Sequence, residues 1–276
     1  MRSSKNGQKD KSLYECWEVF REDRLVQLAV KTQQNYTNAA KLIPAGRKPL
    51  RSYEPADIAK LLKPLRPGAY MVARGFLSSL FSFGIARGWA VSNPVRHVET
   101  RKLGHIARIA RDEARKAIQA TPDPELSLLF ETQYACGQRL SDVLAAKPMN
   151  LQGNLLIIKQ QKTGNVVNIE LPANITERLI ALGRESCEPF FKIRPQKVWR
   201  EWRKIRTELG LNMRQSPHSF RKAASCEAAE GGASEAELQS LLGHKTPRAA
   251  ALYRLEADNR TLASSAMSKR NLGNIS

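Results

Sequence analysis

The stretch Asn154-Leu-Leu-Ile-Ile-Lys-Gln-Gln-Lys-Thr-Gly-Asn-Val-Val-Asn-Ile-Glu-Leu171 decides the fold. Asn154–Lys159 and Val166–Leu171 are short runs rich in Ile, Leu and Val, and Thr163-Gly164 lies between them, which predicts a β-hairpin. The hairpin carries Lys162 at its turn. On either side the apolar residues recur at helical spacing. The expected class is therefore mainly α with a small β-hairpin or sheet.

Upstream of the hairpin, residues 1–10 are polar and are expected to be disordered. From Ser12 to about His97 the pattern is helical, with Leu13, Trp17, Phe20 and Leu25 near one face. A second helix is expected over Lys31–Leu42, and Ile43–Pro49 breaks it. Pro55–Leu62 restarts a short helix that Pro64 and Pro67 should end. Ala69–Gly88 is a longer helix with Phe76, Leu80, Phe83 and Ala86 as its buried face and Gly88 as its C-cap. Asn93-Pro94 turns the chain, and Glu99–Ala110 has little periodicity. The expected organisation is a helical domain over 1–98, a linker over 99–110 and a mostly helical domain with the hairpin over 111–276.

Downstream, Gln196–Leu209 reads as an amphipathic helix with Val198, Trp202, Ile205 and Leu209 on one side and Lys197, Arg200, Arg203, Lys204 and Arg206 around the rest. Two readings are open for that basic face: snorkelling side chains on an ordinary surface, or contact with a nucleic-acid backbone. Ser234-Glu-Ala-Glu237 is a capping box that opens a short helix, which Gly243 ends.

The charge is 45 Lys+Arg against 26 Asp+Glu, net +19, and it is spread along the chain: +9 over residues 1–100 and +10 over 101–276. Both parts suit a polyanion. A basic surface without a specific partner is the bland alternative. Cys16, Cys136, Cys187 and Cys226 are scattered, with no C-x-x-C pair, so neither a zinc site nor a disulfide framework is expected, and a reducing cytoplasm is. The N-terminus MRSSKNGQKDK lacks an apolar core, and no stretch is expected to approach the ~20 apolar residues of a membrane span. A cytoplasmic, nucleoid-associated protein with no membrane partner is the expectation.

The chemistry-bearing residues sit in the second part: Arg139, Lys162, His218, Arg221, His244 and Tyr253. Two arginines, a lysine and two histidines can surround one phosphate, and a tyrosine hydroxyl can attack it. No metal or cofactor is called for. Guanidinium forks match phosphate oxygens bidentately and stay charged. A phenol has a pKa near ~10, so a positive pocket favours the phenolate, and His218 can accept or orient its proton. Asp142, three residues after Arg139, can orient an arginine or histidine, or be an ordinary exposed acid. Each residue alone is a weak signal.

In order and in context, these segments resemble the tyrosine recombinase (phage integrase) family. Cys136-Gly-Gln-Arg-Leu-Ser-Asp-Val-Leu144 resembles its first arginine box. Lys162-Thr-Gly164 resembles its hairpin lysine, Pro217-His-Ser-Phe-Arg-Lys222 its H-x-x-R box and Leu241-Leu-Gly-His244 its L-G-H box. Tyr253 falls where the family keeps its nucleophile. Lys31–Tyr36, Asp57-Ile58, Leu77–Phe83 and Asn93-Pro94-Val95 resemble its helical core-binding domain. The resemblance covers about residues 12–255. Three positions depart from the common pattern: Lys222 stands where many members carry His or Arg, Pro148-Met149 replaces a frequent Trp, and Arg254-Leu255 replaces a common polar-His ending.

The resemblance implies a site-specific recombinase whose two domains clamp double-stranded DNA, with integration, excision or resolution as outcome. It implies a 3′-phosphotyrosine intermediate, with Lys162 as general acid to the leaving 5′-hydroxyl, and a homotetramer on two synapsed duplexes. Ala257–Met267 is then a candidate tail exchanged between protomers, or one folding back on its own domain. An accessory DNA-bending protein is a possible partner in such systems. Little chain precedes Ser12, so the short architecture without an arm-binding domain is expected. Lys31, Arg74, Lys197, Arg200, Arg203 and Lys204 are the DNA-contact candidates. The alternatives are a type IB topoisomerase-like nicking and closing enzyme, or a non-catalytic DNA-binding descendant of a recombinase.

Overall fold

The computed structural model describes residues 10–44, 46–101, 104–243, 263 and 267. The chain divides into two compact units, Met1–Gly104 and His105–Ser276.

Among the described residues the first unit has four α-helices. α1 (Leu13–Asp23) starts on a reciprocal capping box: Ser12 Oγ accepts the Glu15 N–H at 3.2 Å and Glu15 accepts the Ser12 N–H at 2.9 Å. α2 (Val30–Leu42) and α3 (Pro55–Leu62) follow, then α4 (Pro67–Ala86). Pro67 opens α4 and does not close α3, because a proline in the first turn forfeits no helical hydrogen bond. Phe20, Ile58, Leu62, Phe76, Leu77, Leu80 and Phe81 form the core. α4 buries Tyr70, Ala73, Phe76, Leu77, Leu80, Phe81 and Gly84, so its inner face is rotated from the expected one: Phe83 is only half-buried and Ala86 is exposed. Gly84 allows the close approach of Leu50, whose Cδ2 would lie 2.3 Å from an added Cβ. Gly88, at φ 73°, ends the helix as expected.

α4 corrects one point of the sequence reading, that no stretch approaches the length of a membrane span. Among the described residues it is the one helix long and apolar enough to cross a bilayer by length and composition. Its apolar side chains instead pack on α1, α2 and α3 in the first unit's core.

The second unit contains α5 (Arg111–Gln119), α6 (Pro124–Cys136), α7 (Leu140–Leu144), β1 (Leu151–Gln152), β2 (Leu155–Lys159), β3 (Val166–Glu170), α8 (Ala173–Ile180), α9 (Pro195–Glu208), α10 (His218–Glu230) and α11 (Glu235–Leu242). The hairpin pairs Leu155 with Glu170 through Lys159 with Val166, and β1 adds a third antiparallel strand in the order β1-β2-β3. β1 was not expected, since two residues are too few to show alternation. Leu156, Ile158, Val167 and Ile169 face the core. Phe130, Trp202 and Phe220 form an aromatic cluster with centroids 5.2–5.6 Å apart, which fixes α6, α9 and α10 together.

The segment expected as a linker is mostly committed structure. Tyr70 donates to the Glu99 carbonyl, and Arg101 donates to the carbonyls of Leu65 and Lys63. Beyond residue 104, Ile109 is fully buried, Ser219 donates to the Ala107 carbonyl, and Arg108 forms an ion pair with Glu230. These partners lie far along the sequence, so local composition carried no sign of them. The expectation of disorder for residues 1–10 falls outside the described residues except at Asp10, which pairs with Arg51.

Candidate active site

α6 ends where Gly137 adopts φ 63°, a left-handed turn suited to glycine. The turn brings Gln138 and Arg139 round to the start of α7. Arg139 flanks the N-terminus of α7, and its Nη1 donates to Gln160 Oε1 at 2.9 Å. Asp142, one turn on, is buried. Its Oδ1 accepts the Gln161 backbone N–H at 3.0 Å, and its Oδ2 lies 3.7 Å from Arg139 Nη1. The expectation that Asp142 orients a basic partner thus has a geometric basis, while the exposed-acid alternative does not.

Lys162 is exposed in the hairpin turn, as read from the sequence. The turn closes through the Gln160 N–H on the Asn165 carbonyl and the Gly164 N–H on the Gln160 carbonyl, both 2.8 Å. Gly164 sits at φ 74°, which a side chain would strain.

His218 is the first residue of α10 and Arg221 lies one turn later. Phe220, between them, anchors the helix in the aromatic cluster. Arg221 is 1 % exposed and donates to the Gly137 carbonyl and the Leu242 carbonyl, both at 3.0 Å. It therefore bonds the first arginine box to the end of α11. Burial pushes the His218 imidazole down from its ordinary 6.5 to about 4, and the charges of Arg221, Arg139, Lys162 and Lys222 push it the same way. Groups from α7, the hairpin and α10 thus act on one imidazole, which is neutral at neutral pH and able to accept a proton.

α11 opens on the Ser234/Glu237 capping box and ends at Gly243, φ 60°. Its last carbonyls would lack helical partners. Gln138 Nε2 reaches the Leu241 carbonyl at 2.7 Å, Gln160 Nε2 the Leu242 carbonyl at 2.8 Å and Asn165 Nδ2 the Gly243 carbonyl at 3.1 Å. These amides were missed in the sequence. Gln160 had a signal: it is in phase with the inward-facing Leu156 and Ile158, so a buried polar side chain was readable there. Gln138 had none. His244, Tyr253 and the tail proposed for exchange lie outside the described residues, except Ala263 and Met267.

The DNA-contact candidates fare unevenly. Lys31 is exposed on α2. Arg74 is withdrawn from that set, because its guanidinium donates to the Val95 and Val98 carbonyls and ties α4 to the turn after it. On α9, Lys197 pairs with Asp123 at 2.6 Å, and Arg200 and Lys204 both pair with Glu201. Arg203 is exposed, contacts the Trp199 carbonyl, and has no acidic partner among the described residues. The basic face of α9 is thus weaker than its lysine and arginine count implied.

Comparison with known proteins places this arrangement. The phage integrase family pattern matches residues 107–260. The integrase of Enterobacteria phage 434 is 27% identical over 249 residues, covering 81% of this chain and 70% of that protein. A lambda integrase dimer bound to a COC′ core site superposes with a TM-score of 0.74 at 24% identity, covering 97% of this chain and 81% of that one. A lambda integrase tetramer bound to a Holliday junction gives 0.73 at 23% identity, covering 98% and 81%. These two structures share the fold. The protein is a tyrosine-class, site-specific DNA recombinase. With more than half of its length matched, the chain belongs to the phage integrase family.

Proposed function

We propose that this recombinase cleaves DNA by attack of the Tyr253 hydroxyl on a backbone phosphorus, with loss of the 5′-oxygen. The new bond is a 3′-phosphotyrosine, which stores the energy of the broken one, so rejoining needs no ATP. Arg139 and Arg221 stabilise the non-bridging oxygens as charge redistributes, and His244 adds a further hydrogen bond. His218, neutral at rest, takes the tyrosine proton. Lys162 gives a proton to the departing 5′-oxygen, which leaves as the free 5′-hydroxyl. Asp142 positions both the hairpin and Arg139. The observation that carries this reading is geometric: Arg221 bonds the Gly137 carbonyl of the first arginine box to the end of α11, and Arg139 bonds Gln160, two residues before Lys162.

Residues 1–104 serve as the core-binding domain and 105–276 as the catalytic domain, each meeting the DNA. The lambda integrase tetramer on a Holliday junction supports a DNA-bound homotetramer as the working assembly. Exchange of the tail 257–267 between protomers, help from a DNA-bending protein and residence at the nucleoid are the finer parts of the proposal.

Covalent capture tests it. Wild-type and Tyr253→Phe protein are incubated with fragments of the DNA flanking the gene, quenched in detergent and resolved for protein-linked DNA. An adduct with wild type alone is expected. An adduct that persists in Tyr253→Phe overturns the assignment of the nucleophile.

A further inference from the structure

Gln160 is 1 % exposed and uses every strong bond its amide can make. Oε1 accepts from Arg139 Nη1 at 2.9 Å and from Thr163 Oγ1 at 2.7 Å. Nε2 donates to Gln138 Oε1 at 2.7 Å and to the Leu242 carbonyl at 2.8 Å. The orientation is unambiguous, because a guanidinium only donates and a carbonyl only accepts. The partners belong to three separate segments: the first arginine box, which holds both Gln138 and Arg139, the hairpin turn beside Lys162, and the end of α11. Gly243 is shaped around this amide, since an added Cβ would lie 2.6 Å from its Nε2.

We infer that Gln160 is a positioning residue of the recombination site, whose amide sets Arg139, the Lys162 hairpin and the end of α11 in one bonded unit. The inference rests on the catalytic roles proposed above. The argument is geometric. Arg139 must present its fork to a phosphate within a few tenths of an ångström, yet its long side chain has many rotamers. One Nη held by Gln160 leaves the rest of the fork to face outward in a fixed plane. The same amide ties that fork to the carbonyl that Arg221 also holds at 3.0 Å, so a shift of either arginine is felt by the other. Buried, fully satisfied networks of this kind enforce a single arrangement.

The test separates positioning from folding. Gln160→Leu keeps the volume and deletes all four bonds. Single-turnover formation of the covalent adduct should fall roughly 30- to 100-fold, the scale of a misplacement of about 1 Å. The dissociation constant for the same DNA should change by less than about 3-fold, because most affinity comes from phosphate contacts elsewhere. In an Arg139→Ala background, Gln160→Leu should deepen the loss by less than about 3-fold, since the two changes remove one function. If Gln160→Leu does not fold, Gln160→Glu, which still accepts from Arg139 and Thr163 but loses both donated bonds, goes through the same cycle. Wild-type-like cleavage, losses that multiply with Arg139→Ala, or binding and cleavage falling together would overturn the inference. Failure of the wild type to form any adduct strikes the proposed function instead.

Discussion

Asp142 Oδ1 accepts the Gln161 backbone N–H at 3.0 Å, so a buried carboxylate on α7 is bonded to the residue immediately before Lys162. Its other oxygen lies 3.7 Å from Arg139 Nη1 and has no hydrogen-bond partner among the described residues. One acid therefore acts on two cations of the site: on the lysine through the backbone of its turn, and on the arginine through charge.

Replacing that acid should separate the two effects. Asp142→Ala leaves the Gln161 N–H without its acceptor and Arg139 without the charge beside it, and should cost about 2–4 kcal/mol in urea denaturation. It should also slow adduct formation by roughly 100-fold, as the hairpin loses its anchor. Asp142→Asn still offers an oxygen to Gln161 and should stay within about 10-fold of wild type in cleavage. Equal defects in the two variants would mean that charge, and not the hairpin anchor, is what Asp142 provides.

His218 sets a pH dependence whose sign follows from its depressed pKa. The unfolded chain binds a proton at an ordinary 6.5, while the folded site resists protonation until about 4. Between those values the unfolded state holds more protons, so stability should fall as pH drops from about 6.5 toward 4. Above 6.5 this contribution is complete. His218→Gln should flatten that part of the stability curve. DNA acts in the opposite direction. Burial, the larger cause of the depressed value, remains, but a phosphate placed among Arg139, Lys162 and Arg221 offsets their charges, so binding should draw in a proton as pH falls toward about 4. Titration calorimetry in buffers of different ionisation enthalpy reads that uptake directly, and its persistence in His218→Gln would assign the proton to another group.

How far the sequence disclosed this architecture depends on where each residue finds its partners. The hairpin and the cap of α11 were legible because their signals are local: dense β-branched and leucine runs around Thr163-Gly164, and Ser234 with Glu237. The inner face of α4 was misjudged because that helix is apolar on most sides, so periodicity gave no sharp phase. Residues 105–110 resembled a linker because their bonds go to residues 214–230. Arg139, Lys162, His218 and Arg221 can be picked out as a set, and the strand phase marks Gln160 as buried, but the partners of the amides cannot be read. Gln138, Gln160 and Asn165 acquire their meaning from the carbonyls of α11, about 80 to 100 positions away.

Gly243 joins backbone conformation to the site. Its φ of 60° is a left-handed value, and an added Cβ would meet the Gln160 amide at 2.6–2.7 Å. That amide is held by four bonds and cannot swing aside cheaply. Gly243→Ala should therefore lose more than the ~1–2 kcal/mol of the backbone term alone. Its cleavage rate should fall with it. A loss confined to the backbone term, with normal cleavage, would show that Gln160 yields without consequence.

α9 offers a test of which surface cations meet DNA. Lys197 is held by Asp123 at 2.6 Å, whereas exposed Arg203 touches only a backbone carbonyl among the described residues. A phosphate must displace a carboxylate to reach the first but not the second. If α9 lies on the DNA face, Arg203→Ala should weaken binding to all sequences alike and reduce the slope of log affinity against log salt by about 1. Lys197→Ala should change that slope less, since its charge is already neutralised locally. Anisotropy titrations of a short duplex over a range of potassium chloride concentrations would measure both. Equal slopes for Arg203→Ala and wild type would turn α9 away from the duplex and leave its arginines as solvated cover for Val198, Trp202 and Ile205, the snorkelling role that its sequence also permits.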